Sequence, residues 1–319
     1  MEEGHDESAK GKLQTLYGMT IARQEAPLLN RRTVSVCVDD YGLHEGINQA
    51  ALNLARLGRI SAISCLVDGP AWLSGANALK EHAAHVEIGL HLNFTENFGK
   101  NLFNQPLPKL ILSAYTYRLN HSDLMREIQQ QLAAYESSMG RKPDFIDGHQ
   151  HVHQLPCIRA ALLEVLDNYY PSQKPWIRAS CPPENYANSN LPPAIKFKSK
   201  LIGFLGASAL SSLAKRHGYS QNRHLLGVYG FDVSEKLYLD LLQSWLQGAM
   251  DGDVLMCHPS LDGHWNDPLL KARWNEYRVL SGEAYSTLAE WAEVEIGTLS
   301  ARKSEIGLGS DQYLSGNPT

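Results

Sequence analysis

Short apolar runs alternate along the chain with segments whose apolar positions fall at helical spacing. Val34–Val38 is a β-branched run closed by a turn signal, the pattern of a buried strand. Glu45–Leu57 follows, with Ile47, Ala50, Ala51, Leu54 and Leu57 at helical period and Gly58 at the stop. The same reading predicts strands over Ile60–Val67, Val86–Leu92, Phe145–Asp147, Trp176–Ala179, Gly227–Phe231 and Asp253–Cys257. It predicts helices over Trp72–Ala84, Ser122–Met139, Ile158–Leu166, Ser234–Ala249 and Tyr285–Trp291, with Ser122 as the cap of the longest and Gly140 as its stop. Seven strands interleaved with helices predict an α/β fold with a parallel sheet, first as a closed or nearly closed barrel and second as an open doubly wound sheet.

Two regions interrupt the alternation. Asn97–Ser122 is polar, holds Pro106 and Pro108, and reads as a long loop. Cys181–His224 opens with Pro182-Pro183, contains Pro192-Pro193 and then Lys196, Lys198 and Lys200, and is too long for an idle connection. Residues 1–30 read as a polar N-terminal extension, and 31–319 as a single domain with a loop or helical insert around 181–224.

Composition narrows the function. The 319 residues carry a net charge of −5 and are 43% hydrophobic, which excludes intrinsic disorder and leaves no basic excess for nucleic acid. The most apolar run, Leu201–Leu213, is too short and too rich in Gly and Ser to span a membrane, and the acidic N-terminus is no secretory signal. Cys37, Cys65, Cys157, Cys181 and Cys257 are scattered and form no C-x-x-C pair, as expected of reduced thiols in a cytoplasmic protein. No G-x-G-x-x-G or P-loop follows the first strand, which argues against a dinucleotide or NTP site.

The chemistry gathers at the C-terminal ends of the strands, the edge where parallel α/β folds build their sites. The first strand ends in Asp39-Asp40-Tyr41-Gly42, the third in His91-Leu92-Asn93, the fourth in Asp147-Gly148-His149-Gln150-His151-Val152-His153, the last in His258-Pro259. In an extended chain His149, His151 and His153 point to one side and can converge. One carboxylate and two imidazoles can hold a divalent cation with positions left open for water. A neighbouring carboxylate is then free to take a proton from that water, and a histidine beyond it can protonate a leaving amine, the layout of amide or ester hydrolysis.

These segments, in order (Asp39–Gly42, Gly89–Glu96, Asp147–His153, Cys257–Pro259), resemble the motifs of YdjC-like carbohydrate deacetylases of the ChbG/HpnK type, over about Val34 to Pro259. The resemblance implies a distorted TIM-type (β/α) barrel related to polysaccharide deacetylases, and metal-dependent removal of acetyl groups from N-acetylated sugars, chitooligosaccharide-like or carried on a lipid. By position it implies Asp40, His91 and His149 as metal ligands, Asp39 as catalytic base and His258 as general acid. His151, His153 and Asn93 are left to substrate binding or to support of the ligands, and the choice between His149 and His151 as second imidazole ligand stays open. It ranks magnesium first and zinc second, and it allows a homodimer. The extension and the insert carry no transferable motif and are where substrate choice can differ.

Two other readings compete. Clustered histidines and paired acids also suit a phosphoesterase, although such enzymes often use two ions. A non-catalytic sugar-binding protein could use Trp72, Tyr115, Tyr117, Tyr186 or Trp265 as stacking surfaces, yet a binder has no need of Asp39 beside Asp40.

Overall fold

The computed structural model describes residues 31–82, 85–99, 102–103, 105–184, 186, 189–261 and 267–301; the N-terminal extension and Trp265 lie outside them. Among these residues the strands are β1 (Arg32–Tyr41), β2 (Ala62–Cys65), β3 (Glu87–Leu92), β4 (Phe145–Gly148), β5 (Trp176–Ile177), β6 (Leu225–Leu226), β7 (Asp253–Cys257) and β8 (Val294–Ile296). The order is β5-β4-β3-β2-β1-β7-β6, and every pairing is parallel. β8, an eighth strand beyond the seven expected, pairs with the first residues of β1. Backbone bonds from Ile177 N to Ser220 O (2.9 Å) and from Leu225 N to Cys181 O (2.8 Å) draw the sheet's two edges together. The result is a distorted barrel.

Ten helices are described: α1 (Glu45–Arg56), α2 (Trp72–Lys80), α3 (Leu107–Tyr115), α4 (His121–Met139), α5 (Pro156–Tyr169), α6 (Pro193–Phe204), α7 (Ala207–Arg216), α8 (Glu235–Gly248), α9 (Leu270–Ser281) and α10 (Glu283–Trp291). Most of the buried apolar side chains lie between strands and helices, among them Val34, Val36, Val38, Ile88, Leu90, Ile146 and Leu255. The alternate residues of the same strands point into the barrel, where Cys37, Ala62, Phe145, Trp176, Val254 and Met256 form a second, smaller core. Phe145 and Trp176 stack there at 4.4 Å, and a Cβ on Gly89 would meet the Phe145 ring at 2.4 Å, so the barrel is filled by rings against a bare backbone.

This parity aims the site. Counting on by two from the inner core leads to Asp39 from Cys37, Ser64 from Ala62, His91 from Gly89, Asp147 from Phe145, Arg178 from Trp176 and His258 from Met256. The polar residues are thus the next layer up of the barrel interior, at the C-terminal rim.

Several local expectations change. The 97–122 segment contains helix α3, started by Pro106 and Pro108. The cap of α4 is Asn120, whose side chain accepts from Asp123 N at 3.1 Å, two residues earlier than Ser122; Gly140, at φ 70°, ends the helix as expected. Gly227–Phe231 is not a strand: the pairing belongs to Leu225–Leu226 and stops at Gly227, whose φ of 88° turns the chain over Met256. The insert supplies α6 and α7, and helix α9 had no counterpart in the sequence reading.

Candidate active site

Two consecutive strand residues ordinarily point to opposite faces, so Asp39 and Asp40 should not share a site. The register of β1 against β2 shifts between Val38 and Tyr41, and Asp40 sits at φ 66°, in the left-handed region. This bulge turns Asp40 onto the rim beside Asp39. Both carboxylates are buried.

Around Asp40 the geometry is tight. Its Oδ1 lies 2.9 Å from His149 Nδ1 and 3.4 Å from His91 Nε2, and its Oδ2 accepts from Arg273 Nη2 at 2.7 Å. One ligand atom from each of Asp40, His91 and His149 falls within 4.8 Å of the others, as a metal site requires. Burial would raise the Asp40 carboxyl, but His149 and Arg273 outweigh it and hold its pKa well below the usual range. His91 Nδ1 meets Asp147 Oδ1 at 2.7 Å, which fixes the ring and turns Nε2 toward Asp40. Ser64 Oγ donates to the same Asp147 oxygen at 2.5 Å.

Asp39 is held otherwise. Arg178 Nη1 and Nη2 reach its two oxygens at 2.7 Å each, a bidentate fork, and Nη2 also lies 2.7 Å from Asp147 Oδ2. Three buried carboxylates (Asp39, Asp40, Asp147) thus face two guanidiniums, Arg178 and Arg273. The rim is short of positive charge. Burial pushes His91 down, yet Asp147 and Asp40 outweigh it and raise its pKa to about 10, so the imidazole carries a proton where a cation would sit.

His258, at the end of β7, stands on the other side of β1 from His91 and His149. Its backbone N donates to Glu276, its Nδ1 is 4.0 Å from Glu276 Oε1, and its ring packs edge-on to Phe231 at 5.1 Å. Burial pushes its pKa down to about 4, and raises that of Glu276, which also accepts from Tyr229 Oη at 2.5 Å, to about 7.

The histidine run 149–153 is not extended. It forms a tight turn of 3₁₀ helix with Gln150 and His151 at φ 53° and 61°, so its three imidazoles diverge. His149 alone joins Asp40. His151 Nδ1 lies 3.2 Å from Ser180 Oγ at the cavity wall, and His153 is fully buried with Nε2 donating to the Arg178 carbonyl at 2.9 Å. Asn93 is buried too: its Oδ1 accepts from Thr95 N and Glu96 N, and its Nδ2 donates to Asp68 at 2.7 Å. It shapes the loop that brings Glu96 Oε1 to 3.5 Å from His149 Nε2. Of the aromatic candidates, Trp72 and Tyr186 are buried, while Tyr115 and Tyr117 are exposed at and just beyond the end of α3.

The sequence motif includes Asp147 but assigns it no role, and it does not reach Arg178, Arg273 or Glu276. Arg178 carried a signal, as an arginine two residues beyond Trp176 in a strand with inward parity. Arg273 and Glu276 come from α9, one helical turn apart, and no strand-end pattern finds them.

Above these groups lies a cavity of about 290 Å³, walled on its apolar side by Ile202, Leu205, Phe231 and Met256. A second hollow of about 510 Å³, lined by His44, Glu96, Asp267 and Arg273, shares His149, Gln150 and Leu269 with it. Helix α6 closes the first cavity, tied down by Gln154 Nε2 to Ile202 O (2.8 Å) and by Lys198 Nζ to Tyr229 O (2.6 Å).

Known proteins resemble this chain in sequence or in fold. A carbohydrate deacetylase of Danio rerio is 30% identical over 146 residues, 41% of this chain and 45% of the relative, so the alignment spans less than half of that relative. Among solved structures, a protein assigned to cellobiose-phosphate cleavage in Enterococcus faecalis shares 17% identity and the same fold, with a TM-score of 0.62 over 85% of this chain and 99% of that one. A family 4 carbohydrate esterase from Streptomyces lividans, solved with acetate, is 12% identical with a TM-score of 0.41, covering 84% and 93%. The sequence profile of YdjC-like proteins matches residues 33–291. That span contains β2 to β7 whole and every rim residue described above, and on it the chain belongs to the YdjC-like protein family.

Proposed function

We propose that this chain hydrolyses the acetamide of N-acetylated sugars, with one divalent cation held by Asp40, His91 and His149. The observation that carries the reading is the convergence of Asp40 Oδ1 with His91 Nε2 and His149 Nδ1 beside a second carboxylate, Asp39, that is fixed independently. The similarity to a carbohydrate deacetylase supports the sugar as substrate.

The donor set fits a cation. A carboxylate and two imidazoles converge, Asp147 presets one imidazole, and the rim lacks the positive charge an ion supplies. When bound, a divalent cation would polarise the acetyl carbonyl and acidify its water. The two imidazoles suit zinc or manganese, while the family resemblance ranks magnesium first and zinc second.

The chain's own residues do the rest. Asp39 accepts the proton of the attacking water, and Arg178 keeps both its oxygens in one plane and one place. His258, across β1, hands a proton to the departing amine nitrogen. With a resting pKa of about 4 it is neutral at pH 7; it draws that proton from solvent as negative charge develops on the acyl oxygen, and Asp39 returns the water's proton to solvent after the amine has left. The apolar wall of Ile202, Leu205 and Phe231 keeps bulk water from the reacting carbonyl. The sugar ring suits the outer, polar hollow of His44, Glu96 and Asp267. Five free thiols support a reducing, cytoplasmic setting; among the described residues no helix is long and apolar enough to cross a membrane.

The test is acetate release from N-acetylglucosamine, chitobiose, longer chitooligosaccharides and N-acetylglucosamine-bearing lipids, as apo protein and with Mg, Zn, Mn and Co. Acetate only in the presence of metal supports the reading. A metal-loaded protein that releases none, while cleaving phosphate esters, would transfer the site to a phosphoesterase.

A further inference from the structure

The insert has a second face. In α6 the buried side is Ile195 and Ser199, continued by the cavity-lining Ile202. The opposite stripe, at the same i, i+4, i+7 spacing, is Phe197, Leu201 and Phe204, which are 69%, 48% and 85% exposed. Three large apolar side chains on one exposed helix face are not accidental surface scatter. Lys200 is exposed beside them, and Lys196, which donates to the Ser189 carbonyl, adjoins Phe197. Charge is asymmetric as well. Between residues 181 and 224 stand Lys196, Lys198, Lys200, Lys215, Arg216 and Arg223 against the single acid Glu184, a local +5 in a chain of net −5.

We propose that the α6 face docks on an anionic lipid bilayer surface, with Phe197, Leu201 and Phe204 in the acyl boundary and the exposed Lys200 among the headgroups. A basic helix with an apolar stripe is the composition that lies flat in a membrane interface. The cytoplasmic leaflet supplies the complementary negative charge. A second copy of the chain is a poorer occupant, because the two-fold contact would set the basic insert against itself. A nucleic acid would leave the phenylalanines, which present no base-sized slot, without a partner. The geometry also gives the docking a use. The corner after α6 packs on the turn that carries His149, since a Cβ on Gly206 would lie 2.4 Å from Gln154 O. The face that meets lipid is therefore one helix thickness from the cavity.

Co-sedimentation of the full chain with vesicles tests this without any turnover, so it stands or falls apart from the deacetylase reading. Binding is expected to vesicles of phosphatidylcholine mixed with phosphatidylglycerol and not to phosphatidylcholine alone, and it should weaken as salt rises. Phe197→Ser with Phe204→Ser should weaken it at least about tenfold, and Lys200→Ala about fivefold, with the melting temperature unchanged because these side chains are exposed. Absence of binding to the mixed vesicles overturns the proposal. So does binding that the substitutions leave intact, and so does a dimer in sedimentation velocity that the phenylalanine substitutions split, which would give the face to a second copy.

Discussion

Arg178 grips Asp39 with both arms of its guanidinium, Nη1 to Oδ2 and Nη2 to Oδ1 at 2.7 Å, while Nη2 also faces Asp147, the carboxylate that orients His91. One buried side chain, from the residue directly after β5, therefore links the proposed base on β1 to a proposed metal ligand on β3. Asp147 and Asp39 outweigh the burial of Arg178 and keep it charged.

Arg178→Lys keeps a charge but cannot form the fork. It should leave metal content near one ion per chain and lower kcat by about a hundredfold or more, with KM little changed. Arg178→Met should instead cost about 3–5 kcal/mol of stability, because two carboxylates lose their buried counter-charge. Steady-state kinetics and urea titration separate the two effects.

Asp39 and Asp40 adjoin in sequence but should fail differently. Asp40→Asn should weaken metal binding, seen as metal lost on dialysis. Asp39→Asn should keep the metal and lose kcat by about two to four orders of magnitude. Equal metal loss in both variants would remove the division between ligand and base.

His153 gives a pH dependence away from the metal ligands. It is fully buried, burial holds its pKa near 4, and its Nδ1 has no hydrogen-bond partner among the described residues. The unfolded chain binds this proton near pH 6.5, the folded one only near pH 4. The folded protein therefore keeps its full stability above pH 6.5 and loses it progressively down to pH 4, by about 3 kcal/mol for this one group. His153→Gln, whose amide can still donate to the Arg178 carbonyl, should flatten urea stability across that window.

Gly227 is a backbone prediction. At φ 88°, with Met256 O only 2.1 Å from where a Cβ would be, it lets the chain leave β6 across β7 toward Val228 and Phe231. Gly227→Ala should cost about 2 kcal/mol or more and should also raise KM, since the displaced segment walls the cavity. Thermal unfolding and kinetics on the same preparation would show both.

Most of the barrel was legible because its signals are local. A β-branched run such as Val34–Val38, and a helix closed by Gly140, declare themselves within a dozen residues. The strand ends then put Asp39, Asp40, His91, His149 and His258 on one rim by topology alone. What sequence could not decide was direction. An extended reading of 149–153 sends three imidazoles one way, whereas positive φ at Gln150 and His151 separates them, and nothing in the residue types demands that turn. The bulge that swings Asp40 next to Asp39 is equally silent, because it exists only as a register shift against β2. Arg178 meets Asp39 across 139 residues and Arg273 meets Asp40 across 233. Such pairs are fixed by how the barrel closes and where α9 packs. Element types and the chemistry available at the rim follow from local residue patterns; which carboxylate faces the imidazoles and which is clamped by arginine follows from closure of the sheet, which alone brings those distant charges into a common, water-poor space.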